Sequence, residues 1–174
     1  VPTLEAATRV NLALSRYGNL AADGRPTVGL DARDMVKLVL DVEPRAMIIP
    51  AHIWTPWFSL FGSRSGFDDI EECFGDISEY IYGIETGLSS DPSMNWQIAD
   101  LDNRSILSFS DAHSLEKMGR EATVFEGNEV SYETIYRAIA GPVERNARGP
   151  VSGFPPAYAK ASAGKGKPAS IGSA

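Results

Sequence analysis

Two prolines, Pro44 and Pro50, bracket the wholly apolar run Ala46-Met47-Ile48-Ile49. So short a run, with no polar alternation, reads as a strand buried on both faces. Ser105-Ile106-Leu107-Ser108-Phe109 reads as a second strand, Tyr80 to Ile84 and Thr123-Val124-Phe125 as further candidates. Helical patterns lie between them. Thr3 with Glu5 and Ala6 marks a helix start ahead of Leu4, Ala7, Val10, Leu12 and Leu14. Asp31 is an N-cap for a helix through Met35, Val36, Leu38, Val39 and Leu40, ended by Pro44. Asp68 opens a short helix, Asp91-Pro92 starts one over about Ser93 to Ala99, Ser114 caps a short one, and Ser131 caps one to about Ala140. This alternation predicts an α/β sheet or barrel.

The chain has 174 residues, 43% of them hydrophobic and 22% charged, which is the composition of a globular domain. Sixteen basic and 23 acidic residues give a net charge of −7, which excludes a general coat of nucleic-acid-binding charge but not a local basic patch. Cys73 is the single cysteine, so an intrachain disulfide and a Cys-based zinc site are excluded and a reducing, cytoplasmic setting is expected. No apolar run approaches the roughly 18 residues of a membrane span, so no membrane partner is expected. Residues 157–174 are mostly Ala, Gly, Ser and Lys with no acid, and cannot offset their ordering entropy. The expected division is a folded domain over 1–141 and a linker with a disordered tail over 142–174. Val1 opens in mid-helix pattern, which predicts a processed protein or, preferentially, a piece of a longer one.

Both histidines follow an expected strand: His52 comes after Ile48-Ile49-Pro50-Ala51, and Asp111 and His113 come after Ser105 to Phe109. Strand ends at one mouth are where an α/β barrel assembles chemistry. Asp-x-His supplies carboxylate oxygen and imidazole nitrogen suited to Zn, Mn or Fe, and Glu85 sits at a third strand end. On spacing alone the commoner reading is structural: hydrogen-bonded histidines, an Asp-Ala-His-Ser helix cap, and Glu85 paired with an arginine. Trp54, Trp57, Phe58 and Phe61 crowd one Gly- and Ser-containing loop. Such rings fill cores, and they also stack on unpaired bases. Arg64, Lys117 and Arg120 are candidate phosphate contacts.

Four segments carry a family resemblance: Ile49 to Ser63, Gly66 to Gly75, Glu85-Thr86-Gly87-Leu88-Ser89-Ser90-Asp91-Pro92, and Ser110-Asp111-Ala112-His113-Ser114 followed by Gly119-Arg120-Glu121-Ala122. Together they resemble endonuclease Q, a branch of the PHP (polymerase and histidinol phosphatase) superfamily, over about residues 1–140. The resemblance implies a partial, distorted (β/α)7 barrel with metal ions at its mouth. It implies a metal-dependent phosphoesterase that nicks DNA on the 5′ side of deaminated bases, with Zn or Mn as cofactor and Mg as a further option. It assigns catalytic and metal-liganding roles to His52, Asp111 and His113, with Glu85 as a less certain ligand, and DNA contacts to Trp54, Trp57, Phe58, Arg64, Lys117 and Arg120.

The family's opening His-x-His pair has no counterpart here, nor does its later cysteine-containing region, so an interior piece of such a gene is expected, inactive alone. Two rival functions remain: a non-catalytic module binding DNA or a partner, and a PHP-type small-molecule phosphoesterase. The extended aromatic loop favours a polymer substrate over the latter.

Overall fold

The computed structural model describes residues 1–22 and 26–141; the linker and tail expected over 142–174 lie outside the described residues. Helix α1 spans Leu4–Leu14, with the Thr3 side chain accepting the Ala6 N–H at 3.1 Å. Helix α2 spans Ala32–Val42, with Asp31 accepting the Asp34 N–H at 2.7 Å. Each cap satisfies a donor that the first helical turn leaves without a partner.

The two sides of α2 bury differently. Val39 packs with Val10 of α1 and with Ala46, while Val36 enters the main core with Ile53, Leu60, Ile70, Phe74, Ile81 and Ile84. Each such aliphatic side chain contributes about 1.5–3 kcal/mol when fully buried, so this core carries most of the stability. The ion pairs on the solvent side, Lys37 with Asp41 and Arg33 with Asp76, are exposed and contribute little. Helix α3 (Ile70–Phe74) is capped by Asp69, one residue beyond the expected Asp68, and runs into a 3₁₀ segment, Gly75–Tyr80.

Strand β1 (Gly83–Glu85) pairs in parallel with β2 (Ser105–Leu107), Ile84 opposite Ile106. A parallel pair needs a crossover. Helix α4 (Pro92–Asn95) and the 3₁₀ turn Ala99–Leu101 lie within it, in place of the single helix expected over 93–99. Helix α5 (Tyr132–Ala140) starts at the expected cap, Ser131. It docks through Tyr136 and Ile139, and the Ser105 hydroxyl donates to the Ile139 carbonyl at 2.6 Å.

The apolar run at 46–49 is not a strand, although the chain leaving it lies beside β1. The Glu85 N–H donates to the Pro50 carbonyl at 2.9 Å, and the Ile53 N–H donates to the Glu85 carbonyl at 3.1 Å. A regular parallel ladder returns two residues after the acceptor, and here it returns three. The extra residue falls at His52, whose φ is 38°. The Thr123–Phe125 candidate is no strand either. The Thr123 hydroxyl instead accepts the Ser108 N–H and donates to the Ser108 carbonyl, both at 2.9 Å. Among the described residues the sheet therefore has two regular strands, which do not by themselves show the barrel that the resemblance implies.

Candidate active site at the carboxyl end of the sheet

Beyond β1, beyond β2 and beyond the Ile49–Pro50 segment, the chain turns away at one end of the sheet. Open parallel sheets place ligands at this end. A single buried carboxylate ties the three turns together. Glu85 Oε2 accepts the His52 N–H at 2.7 Å, while Oε1 accepts the Gly87 N–H at 2.8 Å and the Phe109 N–H at 3.3 Å. With 6% of its surface exposed, Glu85 carries its charge inside on three backbone donors. Most of its acceptor capacity is thereby engaged before any ion is considered.

Two non-glycine residues at this end have positive φ, His52 at 38° and Asp111 at 45°. Both are chemistry-bearing residues, and such strain concentrates at functional sites. His52 is half-buried, and its Nδ1 lies 3.3 Å from the Thr55 hydroxyl. Asp111 and His113 are exposed, and His113 Nδ1 lies 2.9 Å from the Asp111 carbonyl oxygen. A carbonyl oxygen can only accept, so this contact is a hydrogen bond when Nδ1 carries the proton, which in the neutral ring leaves Nε2 with its lone pair. That is the tautomer a metal-binding imidazole needs, oriented as metal-ligating histidines are oriented by a backbone carbonyl.

The segment leading to Asp111 is braced from its other side. The buried Ser108 hydroxyl donates to Glu121, and Arg120 Nε donates to the Ser110 carbonyl at 2.7 Å. Arg120, expected to contact phosphate, also holds the backbone next to Asp111 through its Nε. Lys117 lies exposed in the 3₁₀ turn Leu115–Lys117. The donor chemistry of His52, Asp111 and His113 suits a divalent ion. Among the described residues, however, no group of three or more His, Cys, Asp or Glu side chains is arranged to hold one.

The aromatic loop divides into a buried and an exposed part. Trp54 packs on Phe61, ring centroids 5.3 Å apart, and its indole N–H donates to Asn95 Oδ1 at 2.9 Å. Trp54 is therefore a wall of the core, with its polar edge already taken. Trp57 and Phe58 are 57% and 87% exposed, and Phe58 has φ 56°. Their loop is tightly braced: the Phe58 N–H donates to the Ser65 hydroxyl at 2.9 Å, and the N–H of exposed Arg64 donates to the Pro56 carbonyl at 2.9 Å. Gly66 lies so close to Gly62 that a Cβ there would sit 2.1 Å from the Gly62 nitrogen.

Sequence reasoning missed Asn95. Fully buried, it donates to the Thr86 hydroxyl at 2.7 Å and to the Asp91 carbonyl at 2.8 Å while accepting from Trp54. It joins the aromatic loop to the turn after β1. Asp91, which caps α4, has its carboxyl held below the usual range by the Ser93 hydroxyl and the Met94 N–H. The Asp-Pro start of α4 was the one local signal near Asn95; its burial depends on chain brought in from Trp54, 41 residues away.

Residues 97–141 match the PHP-associated family model. Protein YqxK of Bacillus subtilis is 34% identical over 99 residues, which is 57% of this chain and 25% of that protein. The crystal structure of the lesion-specific endonuclease PfuEndoQ from Pyrococcus furiosus is similar over 80% of this chain and 34% of that one, with a TM-score of 0.71 and 31% identity. Endonuclease Q in complex with a 27-mer duplex bearing an abasic lesion at the active site is similar over 85% of this chain and 35% of that one, with a TM-score of 0.70 and 29% identity. The chain thus spans about a quarter of that curated relative and about a third of each solved structure. In sequence and in fold together, the chain is similar to part of endonuclease Q, and its residues 97–141 carry the PHP-associated match.

Proposed function

We propose that this chain carries part of the site of a DNA-repair endonuclease that hydrolyses a phosphodiester on the 5′ side of a deaminated base. The observation that carries this reading is the pair of strained turns at His52 and Asp111, set at one end of the sheet and tied to one carboxylate. Strain and a buried charge together are costly in a fold that needs neither for its core. The endonuclease Q solved with a lesion-bearing duplex supports DNA as the partner.

His52, Asp111 and His113 would contribute to holding divalent metal, Zn or Mn, only with ligands from outside this group, since among the described residues no three such side chains are gathered for one ion. Such an ion lowers the pKa of bound water and neutralises charge on phosphodiester oxygens. The protein's own part is to fix the imidazoles: the Asp111 carbonyl holds the His113 tautomer, and Glu85 and Thr55 hold the His52 turn. Trp57 and Phe58 offer ring faces to unstacked bases, and Arg64 and Lys117 offer charge to phosphate. Among the described residues no three-donor group is present to hold several ions, so the chain alone is expected to bind lesion-bearing DNA without cutting it.

The test is fluorescence anisotropy with a duplex carrying deoxyuridine or an abasic site against the matched duplex, with and without manganese, and nicking followed in parallel. Several-fold preference for the lesion without nicking is expected. Equal affinity for both duplexes contradicts the reading, and cleavage abolished by His113→Ala would show the site to be self-sufficient. The exposed Trp57–Phe58 pair also suits a non-catalytic DNA-binding role, which predicts lesion binding with no dependence on manganese.

A further inference from the structure

We propose that Glu85 is a positioning residue: through the His52 N–H it sets the strained turn that presents the His52 imidazole, and through the Phe109 N–H it ties that turn to the segment bearing Asp111 and His113. The sheet by itself cannot do this. Pro50 has no N–H to give, and after its carbonyl bonds the Glu85 N–H the ladder resumes only at Ile53. That leaves the His52 N–H without a ladder partner in a half-buried place, where an unpaired donor is costly. Glu85 takes it at 2.7 Å from 33 residues away.

The same carboxylate reaches Phe109, two residues before Asp111, and Gly87, whose φ of 75° brings its backbone against His52. A Cβ on Gly87 would lie 3.1 Å from the His52 Cα. One side chain therefore touches all three turns. It acts through backbone groups, with no contact from its oxygens to an imidazole. This inference takes its functional meaning from the reading of His52 as a site residue. Its structural content does not depend on DNA cleavage.

Glu85→Gln separates the contacts. An amide has one accepting oxygen and a donating NH2, so it cannot receive N–H groups on both sides. Turned to keep its oxygen on Gly87 and Phe109, it satisfies two bonds and puts a donor against the His52 N–H. The measurement is amide exchange and imidazole ¹⁵N shifts in the full 174-residue chain. The His52 amide is expected to exchange roughly ten- to a hundredfold faster, as losing a charge-assisted bond implies. The His52 ring nitrogens are expected to move as the ring leaves Thr55, with the Gly87 and Phe109 amides and the His113 ring unchanged.

Glu85→Ala should perturb all three amides and both rings. If Glu85→Gln does not fold, Glu85→Asp serves: its shorter carboxylate keeps the local Gly87 bond and loses the two distant ones. Unchanged His52 signals in Glu85→Gln would overturn the proposal, as would uniform loosening of every amide, or failure of both conservative variants to fold. Because none of these signals is a cutting assay, a failure here and a failure of the endonuclease reading are distinguishable.

Discussion

The backbone N–H of His52 donates to the buried carboxylate of Glu85 at 2.7 Å, joining two residues 33 positions apart in sequence. This bond replaces a missing rung of a parallel ladder. It explains why a bulky residue tolerates φ of 38° beside β1.

Gly87→Ala is expected to destabilise the chain by about 1–3 kcal/mol. The positive φ costs an L-residue about 1–2 kcal/mol, and the new Cβ meets His52 atoms at 3.1 and 3.2 Å. Urea denaturation checks the stability loss, and the His52 amide shift checks that the damage centres there.

Asn95→Ala removes the acceptor of the Trp54 indole and the donor to Thr86, inside a fully buried setting. A loss of about 2–4 kcal/mol is expected, from unsatisfied buried polar groups plus a small cavity. Asn95→Asp keeps the acceptor for Trp54 but buries a charge, so it should be no better. Chemical denaturation followed by tryptophan fluorescence measures both.

Trp57→Ala and Phe58→Ala are expected to leave stability within about 0.5 kcal/mol, since both rings are exposed. Each should weaken binding of lesion-bearing DNA by about 1–3 kcal/mol if it stacks on a base. Trp54→Ala should do the reverse, costing stability first. Denaturation midpoints and anisotropy titrations on the same variants separate the two effects.

Burial pushes the Cys73 thiol up from 9.0 to about 11, with Asp31 and Glu72 adding to the shift. A raised thiol pKa lowers the thiolate fraction at neutral pH, and the thiolate is the reactive form. Alkylation at pH 8 should be roughly a hundredfold slower in the folded chain than in urea. Rapid labelling without denaturant would show that the Val36–Phe74 core opens readily.

Local signals in the sequence located the helix starts. Thr3, Asp31, Asp91 and Ser131 each cap the helix expected of them, because capping is decided within four residues. The strands were less legible. Ile48 and Ile49 have the composition of a buried strand, yet Pro50 and the bulge at His52 remove the regular pairing, and pairing is non-local. In the site, His52, Asp111 and His113 stood out by residue type and by position after apolar runs. Glu85 stands out in sequence only as an acid at a strand end, whereas its backbone partners at His52 and Phe109 come from segments that only the fold brings together. Asn95, Ser108 and Thr123 are ordinary polar residues in sequence and acquire meaning only through burial and distant partners.

The most direct test of the central claim, that His52, Asp111 and His113 belong to a divalent-metal site, is titration of the ¹⁵N-labelled chain with manganese. Weak binding of one ion is expected, with paramagnetic broadening centred on Asp111 and His113, reaching His52, and lost in His113→Ala. No broadening at these residues, or broadening unchanged by His113→Ala, would contradict the account.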